Sequence, residues 1–227
     1  MLDRRQFTKT FMAGAFIATS TASVAWGNQP RKKIAFLGTD VFQHSHAQHF
    51  LDRFAMGYAM GGKWHEPRLE LASVYIDQFN DRDIGKQRLE RYAIKQSASV
   101  EEALTLGGSK LAVDGVIIIG EHGKYPKNEL GQTLYPRYDW FKKIVKVFEG
   151  SGRSVPVFND KHLGPVWSDA KWMYDRAREM KVPFMAGSSL VVSYRDPDIT
   201  LPLDCEIEAA VGIGYSGLDI YGAHALE

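Results

Sequence analysis

Five short, mainly apolar runs recur along the chain, and they limit its fold more than any other feature of the sequence. They lie at residues 33–37, 69–76, 113–119, 155–158 and 183–186. Each run has the length of a strand, and none alternates clearly between apolar and polar residues. Strands that are apolar on both faces are typical of parallel sheets covered by helices. The runs therefore predict a parallel sheet with a helical layer on each face.

Helical patterns separate these runs, at residues 47–60, 83–94, 100–106, 138–148 and 166–180. Ser99 precedes the third pattern, and Glu101 and Glu102 lie in its first turn, which is a typical helix start. The alternation of strand and helix predicts a doubly wound α/β fold of the Rossmann-like type, with a mostly parallel sheet. We expect this domain to occupy residues 32–203.

The first 25 residues have the composition of an export signal. Arg4 and Arg5 precede a stretch without any charge at residues 10–26. A basic start followed by an apolar stretch is typical of a signal peptide, and the paired arginines resemble the twin-arginine type. We expect residues 1–25 to be removed and the mature protein to be periplasmic, without stable insertion in a membrane. A short uncleaved anchor is the alternative that this stretch leaves open.

Charge and cysteine content exclude other classes of protein. The 28 Lys and Arg residues face 27 Asp and Glu residues, so the formal net charge is +1. The chain therefore lacks the basic field that holds a phosphate backbone, and we expect no nucleic-acid partner. Cys205 is the single cysteine of the sequence and cannot form an internal disulfide.

Side chains capable of chemistry follow the predicted strands. In a doubly wound sheet, the loops after the carboxyl ends of the strands form the ligand crevice. These loops contain Gly38, Thr39, Asp40, His44, His46, His49, Asp77, Glu121, His122, Asp160 and Lys161. We expect five polar residues of the chain to meet at this edge, namely Asp40, Asp77, His122, Lys161 and His224.

Three closely spaced histidines leave a second chemistry open. His44 lies in the first of these loops, and His46 and His49 are three residues apart in the next helical pattern. With acidic residues of the neighbouring loops, they have the donor atoms that zinc or another transition metal binds. The spacing does not match the His-Glu-x-x-His signature. Histidines that bind another ligand or cap backbone groups are the alternative.

The order of the segments resembles the Gfo/Idh/MocA family of oxidoreductases, named after glucose-fructose oxidoreductase and inositol dehydrogenase. The resemblance rests on Lys-Lys-Ile-Ala-Phe-Leu-Gly at 32–38, Leu-Ala-Ser-Val-Tyr-Ile-Asp at 71–77, Val-Pro-Val-Phe-Asn-Asp-Lys at 155–161 and Gly-Ala-His-Ala-Leu-Glu at 222–227. It implies an oxidoreductase that uses NAD or NADP on a sugar or polyol. It also implies a second domain, of which residues 204–227 are the start and which forms a homo-oligomer interface.

The resemblance implies a cofactor site at the first strands. Gly38 and Thr39 match the pyrophosphate turn, Asp77 matches the acid that binds the ribose, and Glu121 and His122 follow the third strand of the domain. The family's Gly-x-Gly-x-x-Gly run reads Gly-Thr-Asp-Val-Phe-Gln here, so only its first glycine is kept.

The resemblance also implies catalytic residues. Lys161 matches the family's catalytic lysine, within Asp-Lys-His instead of Glu-Lys-Pro. His224 matches an acid/base histidine, and Asp219 stands one position away from the place of that histidine's aspartate partner. The alternative is an exported α/β protein that is not a dehydrogenase and binds a carbohydrate or a metal through its His, Asp and Glu cluster.

Overall fold

The computed structural model describes residues 30–188, 196–215, 217, 221, 222 and 224. Its elements are β1 (Lys32–Gly38), α1 (His46–Met56), β2 (Tyr58–Met60), β3 (Lys63–His65), β4 (Leu69–Ile76), α2 (Gly85–Arg91), α3 (Val100–Thr105), β5 (Gly115–Ile119), α4 (Arg137–Ser151), β6 (Val157–Asp160), α5 (Trp167–Glu179) and β7 (Phe184–Gly187). The predicted signal at residues 1–25 and Asp219 lie outside the described residues. No helix of the described part is long and apolar enough to cross a membrane.

Five of the strands form one sheet in the order β4-β1-β5-β6-β7. Every neighbouring pair in it is parallel. The predicted α/β fold with a mostly parallel sheet is therefore confirmed. The chain passes from β1 to β4 on one side and then returns to β5 on the other, so the strand order reverses beside β1. Ligands of such sheets bind outside the carboxyl ends of the strands at this reversal.

Buried side chains alternate between two cores, one on each face of the sheet. Leu37 of β1 packs in the same core as Phe141 of α4. Its neighbour Phe36 points to the opposite face and packs in the same core as Leu51 of α1. Successive side chains of a strand point to opposite faces. Both faces of β1 are covered, so its sequence is continuously apolar rather than alternating.

The predicted helix at residues 47–60 is wrong at its carboxyl end. Helix α1 stops at Met56, and Gly57 follows with a φ of 97°. Strands β2 and β3 then form an antiparallel hairpin. Gly61 and Gly62 connect them with φ values of 57° and 72°, the conformation that a two-residue hairpin turn requires. The apolar pattern continues through this segment, but the three glycines end the helix.

Candidate functional site

A buried lysine lies at the carboxyl end of β6, in the middle of a polar cluster. Lys161 is 1% exposed. Its Nζ lies 3.1 Å from Glu121 Oε2, 3.1 Å from Asp160 Oδ2 and 2.7 Å from His46 Nδ1. Burying an ammonium group is unfavourable unless it is paired and hydrogen-bonded. The two carboxylates supply that pairing, so Lys161 is held in place by charge.

Three elements bring this cluster together. Glu121 follows β5, Asp160 ends β6, and His46 is the first residue of α1. Helix α1 starts at this point because the Ser45 side chain caps it: Ser45 Oγ accepts a hydrogen bond of 3.1 Å from the backbone N–H of Gln48. The cap fixes His46 at the mouth of the cluster, where its side chain stays 39% exposed.

The backbone of the site is unusual at three residues. His44, His122 and Lys161 have φ values of 68°, 64° and 73°. This left-handed region is unfavourable for residues other than glycine, at a cost of roughly 1 kcal/mol or more each. Such conformations persist where the surrounding structure imposes them, and they concentrate at functional sites. Their coincidence here supports the carboxyl edge of the sheet as the site.

The buried Arg137 connects the two loops that carry the cluster. Arg137 Nε donates to the carbonyl of Gly120 at 2.7 Å, and Nη1 donates to the carbonyl of His162 at 2.6 Å. Gly120 precedes Glu121, and His162 follows Lys161. Arg137 thereby fixes the spacing of Glu121 and Lys161. Sequence reasoning missed this residue, because nothing in its local pattern indicates that it is buried.

The pKa shifts follow from this geometry. The hydrogen bond to Asp160 raises the pKa of His46, although partial burial opposes the shift. Burial alone would raise the pKa of Asp160, but the hydrogen bond from His46 and the charge of Lys161 together lower it. Burial lowers the pKa of His122. Charged Asp160 and neutral His122 are therefore the favoured forms near neutral pH.

His46 Nδ1 lies at a point where a proton can be exchanged. It is 2.7 Å from Lys161 Nζ and 2.8 Å from Asp160 Oδ2. A single ring nitrogen either accepts from the ammonium or donates to the carboxylate, and it cannot do both. Moving one proton changes which contact is made. The two contacts of His46 Nδ1 are therefore alternatives that depend on the protonation of the ring.

Several buried carboxylate oxygens of the site have no hydrogen-bond partner among the described residues. They are both oxygens of Asp40, Oε1 of Glu121 and Oδ1 of Asp160. Asp40 is 1% exposed and follows β1 directly after Thr39. Unpaired buried carboxylates are unfavourable and call for an ion, a water or a proton. This edge of the sheet therefore has unused capacity for a positive group.

Asp77, the residue expected at the ribose position, is held by two tyrosines. Its Oδ1 accepts a hydrogen bond from Tyr75 Oη at 2.5 Å, and its Oδ2 accepts one from Tyr125 Oη at 2.6 Å. Burial and then these hydrogen bonds raise the pKa of both phenols. The neighbouring side chain of Gln78 makes two hydrogen bonds to the backbone of Lys124: its Oε1 accepts from the Lys124 N–H, and its Nε2 donates to the Lys124 carbonyl. Asp77 thus anchors the loop that begins with Glu121.

The other expected residues are distributed as follows. Thr39 is buried and its Oγ1 donates to the carbonyl of Glu121, so the first turn contacts the third. The rings of His44 and His49 lie 6.4 Å apart. His224 lies in the carboxyl-terminal segment, where its ring packs edge-on against Tyr221 at 5.9 Å. None of the contacts found among the described residues connects His224 to Lys161.

One group within the described residues has donor atoms close enough to hold a metal: the ligand atoms of His46, Glu121 and Asp160 lie within 4.8 Å of one another. This group takes one histidine from the sequence cluster and joins it to two carboxylates that are distant in the chain. His44 and His49 are not part of it.

The sequence matches no protein-family model and no curated protein sequence. Three solved structures illustrate the similarity in fold. GenD2 from gentamicin A biosynthesis, solved with NAD, is 16% identical over 70% of this chain and 35% of its own, with a TM-score of 0.45. A Gfo/Idh/MocA family oxidoreductase from Vibrio cholerae is 19% identical over 69% and 38%, with a TM-score of 0.44. Biliverdin reductase from Synechocystis sp. PCC 6803, solved with biliverdin and NADP+, is 14% identical over 68% and 37%, with a TM-score of 0.42.

This chain spans less than two fifths of the length of each of these three proteins. All three TM-scores are below 0.5, so the similarity does not by itself assign a family.

Proposed function

We propose that this chain is the nucleotide-binding part of an exported, nicotinamide-dependent oxidoreductase of the Gfo/Idh/MocA type, acting on a sugar or polyol. The observation that carries the proposal is Lys161. It is buried at the carboxyl end of β6, between two carboxylates and a histidine. A lysine held in this way beside the strand reversal is suited to proton transfer in a ligand crevice.

The residues at this edge fit one part of a dinucleotide directly. Asp77 directly follows β4, the strand next to β1, and two hydroxyl groups already donate to its carboxylate. Ribose hydroxyls would make the same kind of contact in place of the Tyr125 hydroxyl.

The pyrophosphate position fits only when the charge of Asp40 is neutralised. Asp40 stands where the glycine-rich turn would bring backbone N–H groups to the phosphates. An unpaired carboxylate and a phosphate repel each other in a partly dry site. In addition, Ser45 Oγ already accepts from the N–H of Gln48 in the first turn of α1, and Gln48 Oε1 accepts from the N–H of His44 just before the helix.

In the proposed reaction, residues of this chain transfer the proton that accompanies the hydride. A bound nicotinamide would exchange a hydride with the substrate carbon. Lys161 exchanges the accompanying proton with the substrate oxygen, while Glu121 and Asp160 hold its ammonium in place. His46 then passes the proton between Lys161 and solvent, because its ring touches Nζ and remains partly exposed.

A cofactor titration tests the proposal. NADH and NADPH are titrated by fluorescence into the wild type, Asp77→Asn and Lys161→Met. We expect one of the two to bind the wild type. Asp77→Asn should weaken that binding, whereas Lys161→Met should keep binding and lose turnover of the substrate. Absence of binding of both dinucleotides at millimolar concentration, in a sample with a cooperative unfolding transition, refutes the proposal.

Export is tested separately. The full chain and an Arg4→Lys/Arg5→Lys variant are expressed in a bacterium that has twin-arginine export, and the cells are fractionated. We expect the wild type in the periplasm and the variant in the cytoplasm, because the signal resembles one that depends on the arginine pair. Equal distribution of the two refutes export by this route.

A further inference from the structure

The buried charges at the carboxyl edge of the sheet do not balance. Asp40, Glu121 and Asp160 are each at most 2% exposed, and the ammonium of Lys161 makes ion pairs with two of them. Counted together with the buried guanidinium of Arg137, three carboxylates and two cations leave a formal charge of −1. The nearby Arg137 directs its hydrogen bonds to the carbonyls of neighbouring loops and to His162. Buried charge that lacks a partner is strongly unfavourable.

Carboxylate oxygens without a hydrogen-bond partner indicate that this group of residues has room for a cation. The ammonium of Lys161 forms ion pairs with Oε2 of Glu121 and Oδ2 of Asp160. The second oxygen of each carboxylate is buried without a hydrogen-bond partner among the described residues, and so are both oxygens of Asp40. Each ligand carboxylate therefore has one oxygen in use and one available to a cation. Asp40 is an independent unpartnered carboxylate, whose charge acts on His122 together with that of Glu121.

The distances suit one ion. His46 Nδ1 lies 3.8 Å from the unpartnered Oε1 of Glu121 and 2.8 Å from Oδ2 of Asp160. Because Oδ2 also contacts Lys161, an ion would either share this oxygen with the ammonium or bind the unpartnered Oδ1 of Asp160. Donor atoms bound to one ion at about 2.1 Å lie at most roughly 4.2 Å apart. The whole group of ligand atoms spans no more than 4.8 Å. Side-chain adjustments of less than an ångström would therefore bring the three residues onto a common ion.

We propose that His46, Glu121 and Asp160 bind one divalent first-row transition-metal ion, of the Mn²⁺ or Zn²⁺ class, beside the buried carboxylate of Asp40. The ion would supply positive charge to the carboxylate oxygens that have no hydrogen-bond partner among the described residues. One imidazole with two carboxylates favours a transition metal over Mg²⁺, which prefers oxygen ligands and retains its water. The inference requires no cofactor and no substrate, and an ion bound at His46 Nδ1 would replace the proton relay proposed for that nitrogen.

Metal binding is measured on the full chain after removal of metal with EDTA. Equilibrium dialysis against MnCl₂, ZnCl₂ and MgCl₂ is followed by metal analysis. We expect one Mn²⁺ or Zn²⁺ per chain and at least tenfold weaker binding of Mg²⁺. Glu121→Gln and His46→Ala should each weaken Mn²⁺ or Zn²⁺ binding at least tenfold. The matched control is Asp175→Asn, which should bind as the wild type does, because Asp175 is an exposed carboxylate that pairs with Lys171 on α5 and does not belong to the group of three ligands.

Electron paramagnetic resonance identifies the ligand. Bound Mn²⁺ should show coupling to an imidazole nitrogen in the wild type, and His46→Ala should abolish it. His46 is the informative position, since its partly exposed side chain makes the substitution compatible with folding, which a thermal melt verifies. Failure of both Mn²⁺ and Zn²⁺ to bind at millimolar concentration overturns the proposal. So does binding that survives His46→Ala and Glu121→Gln, or that is lost only in His44→Ala or His49→Ala.

Discussion

Replacing Lys161 by methionine should destabilise the fold far more than losing an ordinary lysine would. Methionine nearly preserves the length of the side chain but removes the ammonium that contacts Glu121 and Asp160. Removing one partner of a buried ion pair leaves uncompensated charge and costs about 3–5 kcal/mol. With an m value of about 2 kcal/mol per molar urea, the midpoint of unfolding should fall by roughly 1.5–2.5 M.

The dependence on pH distinguishes this explanation from loss of packing. In the wild type, the pKa of Asp160 is lowered in the folded state, so its contribution to stability is complete above the ordinary carboxyl pKa of about 4 and is lost as the pH falls through the lowered value. The variant lacks the cation that supports this charge. The difference between wild type and Lys161→Met should therefore be large at pH 7 and should shrink towards pH 3. A loss of stability caused by a packing defect would be the same at pH 7 and at pH 3.

The assay is urea unfolding followed by far-ultraviolet circular dichroism at several pH values, on protein freed of metal. Lys171→Met is the matched control, because Lys171 pairs with Asp175 on the surface of α5, where the two side chains are 54% and 46% exposed. An exposed pair of this kind contributes less than about 1 kcal/mol. A loss in Lys161→Met that is as small as in the control, or one that does not change with pH, refutes the reasoning.

Three further predictions concern Gly120 and Tyr125 beside the site and Gly150 in α4. A Cβ on Gly120 would lie 2.7 Å from Arg137 Cγ, so Gly120→Ala should cost about 1–3 kcal/mol in urea unfolding. Gly150→Ala should instead stabilise the protein by about 0.5–1 kcal/mol, because Gly150 lies in α4 with no atom near its Cβ position, and a neutral or unfavourable effect contradicts this. Tyr125 should ionise later than exposed tyrosines in an absorbance titration, because burial and the Asp77 hydrogen bond raise its pKa; if Tyr125→Phe does not remove a late-ionising group, the assignment fails.

The main strands can be predicted from the sequence because a strand that is buried on both faces appears as a run of mainly apolar residues. The predicted run at 69–76 coincides with β4 (Leu69–Ile76), and the predicted run at 33–37 lies within β1 (Lys32–Gly38). A strand covered on both sides is apolar at most of its positions, and this is visible without any knowledge of its partners. The β2–β3 hairpin was missed because its side chains are largely exposed, so only its glycines mark it.

The partners of the site residues could not be predicted in the same way. His46 and Asp160 are 114 positions apart and meet because β1 and β6 flank β5 in the sheet. The resemblance places Asp77 at the ribose, and in the structure the hydroxyls of Tyr75 and Tyr125 donate hydrogen bonds to its two carboxylate oxygens. Such pairings depend on strand order and on loop paths, which local patterns do not encode.

By itself, the sequence determined that this chain forms a parallel α/β sheet and that its chemical side chains follow the strands, because hydrophobic burial acts position by position. Only the tertiary structure decided that Lys161 is buried between two carboxylates and that Asp40 has no hydrogen-bond partner within the described part of the chain. The physical reason is that charge and hydrogen bonding act between groups in space. Whether a carboxylate is paired depends on what the fold places within about 3 Å of it.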